Sequence, residues 1–282
     1  MSYIHPVEEL VHSTVRIECE TAEGPSSGTG YFYAFNATEA GNVPCVVTNK
    51  HVVEGATRGR FHLSIKGPDG KPKLGEHFPI EFEGFESAWI KHPEADIDLA
   101  ILPLAPILQE ANNRGLDPYY ILLSQHAVAD STLLDTLPSS EEIIMIGYPN
   151  GIWDEKHNLP VIRKGITATH PKLPLNGKPE FLIDAACFPG SSGSPVFLAN
   201  IGSFVNEKGA LCAGNRIALL GTLYAGPQHT ATGEVRVVDI PTANTPVAFS
   251  TIPNNLGLVI NGSKLLDFEQ IVSERLEKQE RK

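Results

Sequence analysis

Asp184-Ala185-Ala186-Cys187-Phe188-Pro189-Gly190-Ser191-Ser192-Gly193-Ser194-Pro195-Val196-Phe197 places a serine among glycines, in a predicted loop that leads into an apolar strand. A serine hydroxyl becomes a useful nucleophile when a base removes its proton and backbone amides stand ready for the oxyanion that forms. Glycines at 190 and 193 suit that geometry. Without a Cβ the chain turns sharply, and the amides of Gly190 and Ser192 can point into one small cavity beside the Ser192 hydroxyl. Gly/Ser/Pro runs are more often ordinary turns, so the stretch acquires a chemical meaning only with a matching base and a group that orients it.

Both are present. Val46-Val47-Thr48-Asn49-Lys50-His51-Val52-Val53 is an apolar strand ending at a histidine, and Asp96-Ile97-Asp98-Leu99-Ala100-Ile101-Leu102 is an acidic entry into another. The order along the chain is His, Asp, Ser. In such a set the imidazole bonds the serine hydroxyl on one nitrogen and a carboxylate on the other, which fixes its tautomer and stabilises the imidazolium. An Asp-His-Ser order using His51 is excluded because the first aspartate is Asp69. The α/β-hydrolase order needs Gly-x-Ser-x-Gly with both partners downstream. Here the fifth residue is Ser194, and only His229 follows Ser192. Asp96 and Asp98 compete for the third role, since either could cap the strand. His92 lies near the same loop but nothing pairs it with Ser192, and it is expected on the surface.

These segments resemble those of the trypsin-like (chymotrypsin-fold) serine peptidases, above all the bacterial HtrA/Deg and glutamyl-endopeptidase branches. Asp184-Ala185-Ala186 and Pro189-Gly190 are similar to the Deg pattern, and Gly193-Ser194-Pro195-Val196-Phe197 to the glutamyl endopeptidases. Ser27-Gly28-Thr29-Gly30, Gly147-Tyr148-Pro149 and Gly221-Thr222-Leu223-Tyr224-Ala225-Gly226 extend the resemblance over roughly residues 10 to 270. It implies His51 as general base, Asp98 as its orienter (the family places this aspartate directly before Leu-Ala-Ile-Leu), Ser192 as nucleophile, and Gly190 with Ser192 as the oxyanion amides. It implies a substrate pocket with Ala186 at its floor and Tyr224 and Gly226 along its wall. A neutral floor would leave a buried lysine or arginine unpaired, so a small or medium apolar residue is expected before the scissile bond. Leu223 stands where glutamyl endopeptidases carry a histidine, which argues against glutamate specificity.

Two departures bear on control. Ser191 replaces the acidic residue that switches on vertebrate trypsins, so activation by N-terminal cleavage is not expected. Phe188 replaces a small polar residue of the Deg loop, which predicts a collapsed resting loop with the Gly190 amide turned away.

Composition fits an enzyme with a substantial core: 282 residues, 41% hydrophobic. A net charge of −11 and a pI near 5.4 disfavour nucleic acid, which calls for a basic patch. No run approaches the ~20 apolar residues that cross a bilayer. Residues 1–9 have neither a basic region nor an apolar core, so no signal peptide is expected and the expected compartment is the cytoplasm. Cys19, Cys45, Cys187 and Cys212 form no close pair and no metal-ligand spacing. They are expected as buried free thiols, and Asn36-Ala37-Thr38 and Asn261-Gly262-Ser263 as chance glycosylation matches.

Short β-like runs separated by Gly, Pro, Asn and Asp predict an all-β fold. With the resemblance this becomes two six-stranded antiparallel barrels plus a C-terminal α-helix. Residues 1–104 would carry His51 and Asp98, 105–118 would connect, 119–262 would carry Ser192, and the cleft between the halves would be the site. Strands are expected at 13–19, 29–35, 44–49, 60–66, 78–83, 87–91 and 98–103, then at 120–124, 142–147, 161–168, 180–185, 195–198, 217–224, 233–239 and 256–260. Leu265, Leu266, Phe268, Ile271, Val272 and Leu276 recur at helical spacing over 263–282, which predicts a helix packed on the second barrel and leaves no room for a PDZ domain. The expected activity is serine endopeptidase, on a protein or peptide substrate, without metal or organic cofactor. The alternatives are a latent effector protease switched on by an activating protein partner, in bacterial stress or defence, and a non-catalytic binding pseudoprotease.

Overall fold

The computed structural model describes residues 5–38, 41–226, 228–232 and 249–280. The strand expected at 233–239 lies outside them. The fold is mostly β and chymotrypsin-like, with a closed six-strand barrel and a C-terminal helix.

In the first half the hydrogen-bonded path runs Pro72–Glu83, Arg58–Lys66, Thr14–Thr21, Gly24–Thr38, Gly41–Thr48, Ala100–Pro103, Ile90–Lys91, with Pro118–Tyr119 and Leu123–Ser124 paired off that path. Alternation along these strands sends Val15, Ile17, Phe32, Val46, Phe61, Ile80 and Leu102 into one core. Strands at opposite ends of the path feed that core, so the sheet curls around it. The segment expected as a strand at 87–91 is instead a 3-10 turn, Phe85–Ala88, before the short Ile90–Lys91. The stretch 120–124 narrows to Leu123–Ser124. The connecting segment forms the helix Ala105–Asn113, where Pro106 sits in the first turn, a position in which its missing N–H costs nothing.

The second half closes: Glu142–Gly147, Val161–Thr167, Glu180–Asp184, Leu256–Asn261, Arg216–Ala225 and Pro195–Asn200 return to the first strand. Its interior holds Ile143, Met145, Phe181, Ile183, Val196, Leu198, Leu220 and Val259. A third cluster joins the halves, packing Tyr31, Tyr33 and Val47 against Ile144, Ile146, Phe197 and Leu219. Two hairpins were not foreseen from sequence, Ser203–Val205 with Leu211–Ala213 and Gln228–Thr232 with Phe249–Pro253.

The C-terminal helix, Asp267–Glu280, follows a 3-10 turn at Gly262–Leu265. The expectation that it packs on the second barrel is incomplete. Phe268 and Val272 enter the cluster between the halves, and the Phe268 ring lies 5.9 Å from Phe35 and 5.2 Å from His92, both in the first half. Glu269 accepts the Asn36 amide at 2.5 Å. The helix is thus a strap returning from the second barrel to the first. His92, expected on the surface, is 3% exposed beneath it.

Candidate active site

The strand Gly41–Thr48 ends at the buried Asn49, and the chain turns into a single helical turn, Lys50–Val53, that carries His51. The Asn49 side-chain amide donates to the Asp98 carbonyl at 2.7 Å, and the His51 backbone N–H donates to Asp98 Oδ1 at 3.1 Å. These two bonds fix Asp98 before its side chain meets the ring. His51 Nδ1 then lies 2.5 Å from Asp98 Oδ2, short enough for a charge-assisted bond with Nδ1–H donating. That tautomer leaves Nε2 as a proton acceptor. Asp96 is exposed, and of the two aspartates it is Asp98 that meets the His51 ring. The aspartate loop is pinned further by Lys50, whose Nζ donates to the Glu94 and Ala95 carbonyls at 2.8 and 3.2 Å. His92 N–H donates to Leu99 O at 2.9 Å. Asn49 and Lys50 were not singled out in the sequence, because an amide and an ammonium near a strand end have no signature of their own.

Ser192 belongs to the loop before Pro195–Asn200. Gly193 has φ +86°, and a Cβ there would stand 1.9 Å from the Thr29 carbonyl oxygen. Only glycine fits so close a backbone approach. Gly193 N–H donates to Leu223 O at 2.8 Å and Leu223 N–H to Ser194 O at 2.9 Å, which seats the Ser192 loop on the strand Arg216–Ala225. The Ser192 hydroxyl faces the Tyr224 carbonyl at 3.4 Å, beyond the usual O–H···O range. Among the described residues no hydrogen bond joins it to His51. The structure therefore brings His51 and Asp98 into contact and leaves Ser192 loosely held beside Tyr224.

The 188–191 loop, for which Phe188 suggested a collapsed state, is anchored at the carbonyls of Pro189 and Gly190. The Pro189 carbonyl accepts the Asn150 N–H at 2.5 Å and so points toward the 149–151 turn. In a planar trans peptide the next N–H points the opposite way, so the Gly190 amide is turned away from that turn. Neither the Gly190 nor the Ser192 amide has a hydrogen-bond partner among the described residues. The Phe188 ring sits under the Arg163 guanidinium at 5.1 Å. The bulky residue that threatened collapse has its own partner on the neighbouring strand.

Beside Gly226, the nearest side chain to a notional Cβ is Cys187, at 3.6 Å. A Cβ on Gly257 would in turn meet Cys187 Sγ and Leu223 Cδ1 at 2.7 Å and Ile183 at 3.0 Å. Cys187, anticipated only as a buried thiol, thus packs between Gly226 and the barrel interior, and Ala186 is half-buried next to it. Burial pushes the Cys187 thiol up to about 11 against a weaker opposing pull from Arg163, so it is neutral and behaves as a small apolar group. The Tyr224 side chain bonds Glu180, and burial followed by that carboxylate raises the phenol, leaving Tyr224 its backbone to offer the cleft. Cys19, Cys45 and Cys187 are buried and Cys212 half-buried, all as free thiols. The one cluster of metal-ligand type among the described residues, His92, Glu94 and Asp267, already holds the Lys264 ammonium at 2.7 Å from Glu94 and 3.0 Å from Asp267.

The sequence pattern of the trypsin-like peptidase domain matches residues 28–205, which contain His51, Asp98 and Ser192. The chain belongs to the trypsin-like peptidases. No curated protein matches its sequence. Among solved structures this trypsin-like peptidase is similar to the HtrA-type protease AlgW with a tripeptide, at 16% identity over 95% of this chain and 62% of that one, TM-score 0.48. It is similar to the Rv3671c protease from M. tuberculosis in its active form, at 17% identity over 92% and 81%, TM-score 0.45. The serine endoprotease from Yersinia pestis matches at 14% identity over 96% and 64%, TM-score 0.45. The peptidase spans less than two thirds of the AlgW and Yersinia chains.

Proposed function

We propose that this trypsin-like peptidase is a serine endopeptidase in which His51 is the general base, Asp98 orients it and Ser192 is the nucleophile. The observation that carries the reading is the 2.5 Å contact of His51 Nδ1 with Asp98 Oδ2, because it leaves Nε2 basic. The Asp98 side chain is 23% exposed and that of His51 44%, so the carboxylate is the more enclosed partner while the imidazole opens toward the cleft. Rotation of Ser192 about its Cα–Cβ bond gives up one long contact with Tyr224 O. The hydroxyl is then free to bond His51.

In the forward step Ser192 Oγ attacks the substrate carbonyl carbon and its proton passes to His51 Nε2. The carbonyl oxygen becomes an oxyanion facing the Gly190 and Ser192 amides. As the C–N bond breaks, His51 returns the proton to the departing amine, leaving an acyl-enzyme. Water then attacks the ester carbon, gives its proton to His51, and the product acid departs as the proton returns to Ser192.

Cys187 beside Gly226, with the neutral Ala186 next to it, supports preference for a small or medium apolar residue before the scissile bond, since a charged one would be buried without a counter-charge. Four free cysteines support a reducing, cytoplasmic setting. Partner control remains the alternative; its sign is weak basal hydrolysis that rises when an activating protein is added. A fluorophosphonate probe, which reacts with a serine whose base and oxyanion amides are assembled, tests the main reading. Wild type should label and Ser192→Ala should not. An unlabelled wild type overturns the assignment of an assembled site, and a labelled Ser192→Ala overturns the nucleophile.

A further inference from the structure

We infer that Thr29 is the positioning residue that holds the oxyanion loop in its working orientation, an inference that rests on the serine-peptidase reading of this site. Thr29 is fully buried. Each of its polar groups is engaged, and each engagement reaches a different part of the site. Its N–H donates to the Ser192 carbonyl at 2.9 Å, and its hydroxyl donates to the Gly190 carbonyl at 2.9 Å. The same hydroxyl accepts the Tyr148 N–H at 3.0 Å, and its carbonyl accepts the Thr48 hydroxyl at 2.7 Å. Thr48 closes the strand that delivers His51.

The geometry gives the hydroxyl a specific task. The Gly190 N–H lies in the Pro189–Gly190 peptide plane, and that plane is hinged to the next one only at the Gly190 Cα. For Gly190 one plane is fixed where the Pro189 carbonyl accepts from Asn150 N–H, and the other where the Gly190 carbonyl accepts from Thr29 Oγ1. The residue between them is a glycine at φ +86°, with no side chain of its own to lock it. The Pro189 anchor sets the Gly190 N–H directly, antiparallel to that carbonyl, and the Thr29 anchor on the following plane restrains the rotation about Gly190 by which the first plane could flip. The Tyr148 bond couples them, because the turn that supplies Asn150 N–H begins at Tyr148. One hydroxyl therefore grips the loop directly at Gly190 and supports the turn that grips it at Pro189. The Thr29 backbone bond to Ser192 survives any side-chain change at 29, so the hydroxyl's share can be separated from the backbone's.

Thr29→Val keeps the shape and removes both hydroxyl bonds, whereas Thr29→Ser keeps donor and acceptor and loses only a methyl group. On the full chain, saturation kinetics of fluorophosphonate labelling separate the limiting rate constant from the half-saturating probe concentration. Since deleting one oxyanion donor outright lowers rate by ~10²–10³, a misaligned donor should cost roughly ten- to a hundred-fold in the limiting rate. The half-saturating concentration should stay within about twofold, with Thr29→Ser within about threefold of wild type. In parallel, the Gly190 and Ser192 backbone amide resonances should move in Thr29→Val and return in Thr29→Ser.

The inference is overturned if Thr29→Val labels at the wild-type rate with both resonances unmoved. It is equally overturned if Thr29→Ser is as impaired as Thr29→Val, since the hydroxyl is then not the agent, or if the loss appears wholly in half-saturation. Should Thr29→Val fail to fold, Thr29→Cys, similar in size with only a weak donor, replaces it in the same comparison. A wild type that never labels refutes the peptidase reading, yet the two resonances still decide the role of Thr29, because they report loop geometry without turnover.

Discussion

Replacing Gly193 by alanine should remove activity and a large part of the stability together. At φ +86° an alanine carries the left-handed backbone penalty of ~1–2 kcal/mol. That alone would be tolerable. Its Cβ, however, would stand 1.9 Å from Thr29 O and 2.5 Å from Thr48 Oγ1, and the first of these is backbone with no rotamer to change. The Thr29 carbonyl must retreat by about 1 Å to reach even the closest approach real Cβ atoms show. Such a retreat strains the Thr48–Thr29 bond of 2.7 Å and the Thr29–Ser192 bond of 2.9 Å in a buried setting. Each buried group left unpaired costs about 1–3 kcal/mol, which brings the total to roughly 3–8 kcal/mol. For a chain of this size that is a fall in Tm of roughly 6–15 °C. Thermal unfolding followed by circular dichroism, run beside fluorophosphonate labelling, measures both effects. Gly70→Ala is the control: φ is +75° there, but nothing lies within 4 Å, so only the backbone penalty applies. If Gly193→Ala loses no more stability than Gly70→Ala, or labels as fast as wild type, the close approach described above is not what holds the loop.

Two further outcomes follow from the same geometry. Asp98→Asn presents an amide to His51 Nδ1, which favours the tautomer with its proton on Nε2 and so removes the base; labelling should slow about 10³–10⁴-fold, ~4–5 kcal/mol of barrier, with Tm changed by only a few degrees. Burial holds the His92 imidazole below its usual value, with Asp267 pulling the other way, so the unfolded chain binds the proton more readily than the folded one. Stability is then full above the ordinary histidine range and declines as pH falls through ~6.5 toward the depressed folded value. Denaturant midpoints should drop between pH 7.5 and 5.5, and His92→Gln should flatten that slope; an unchanged slope in the variant rules out His92 as the source.

The parts of this site legible in sequence are those whose chemistry is local. An apolar run that ends at His51, an acidic residue directly before Leu99-Ala100-Ile101-Leu102, and glycines bracketing Ser192 each state their geometry within a few residues, because strand alternation and glycine's freedom act at short range. The all-β character followed from the same alternation, whereas of the two six-stranded barrels that the resemblance implied only the second closes, the first half being a nine-stranded sheet because extra short strands pair onto it. What the sequence could not convey is partner choice across long separations. The spacing of Leu265, Phe268 and Val272 announces a buried helix face, but no periodicity says that the face reaches Phe35 and His92 in the first sheet. His92 looked like a surface residue for the same reason: its burial is created by residues more than 170 positions later.

Phe188 and Thr29 show the same limit acting on the chemistry rather than the fold. A phenyl ring in a loop that usually carries a small polar residue reads as an obstruction, and would be one if it turned inward. Arg163, on a strand 25 residues earlier, supplies a cation at 5.1 Å over its face and gives it a place to stay. Thr29 reads as one more small residue in a Gly-rich run, and hydroxyls in such runs usually serve local turns. Here the hydroxyl reaches Gly190, 161 residues away, and accepts from Tyr148, 119 residues away. Neither separation leaves a trace in local pattern. The residues proposed to carry the reaction were therefore readable one by one, whereas those proposed to set their relative orientation became visible only once both halves of the fold were in place. The neighbourhood of Gly226 follows the same division: the glycine was singled out by its neighbours in sequence, but the Cys187 side chain 3.6 Å from its notional Cβ comes from the loop after Glu180–Asp184.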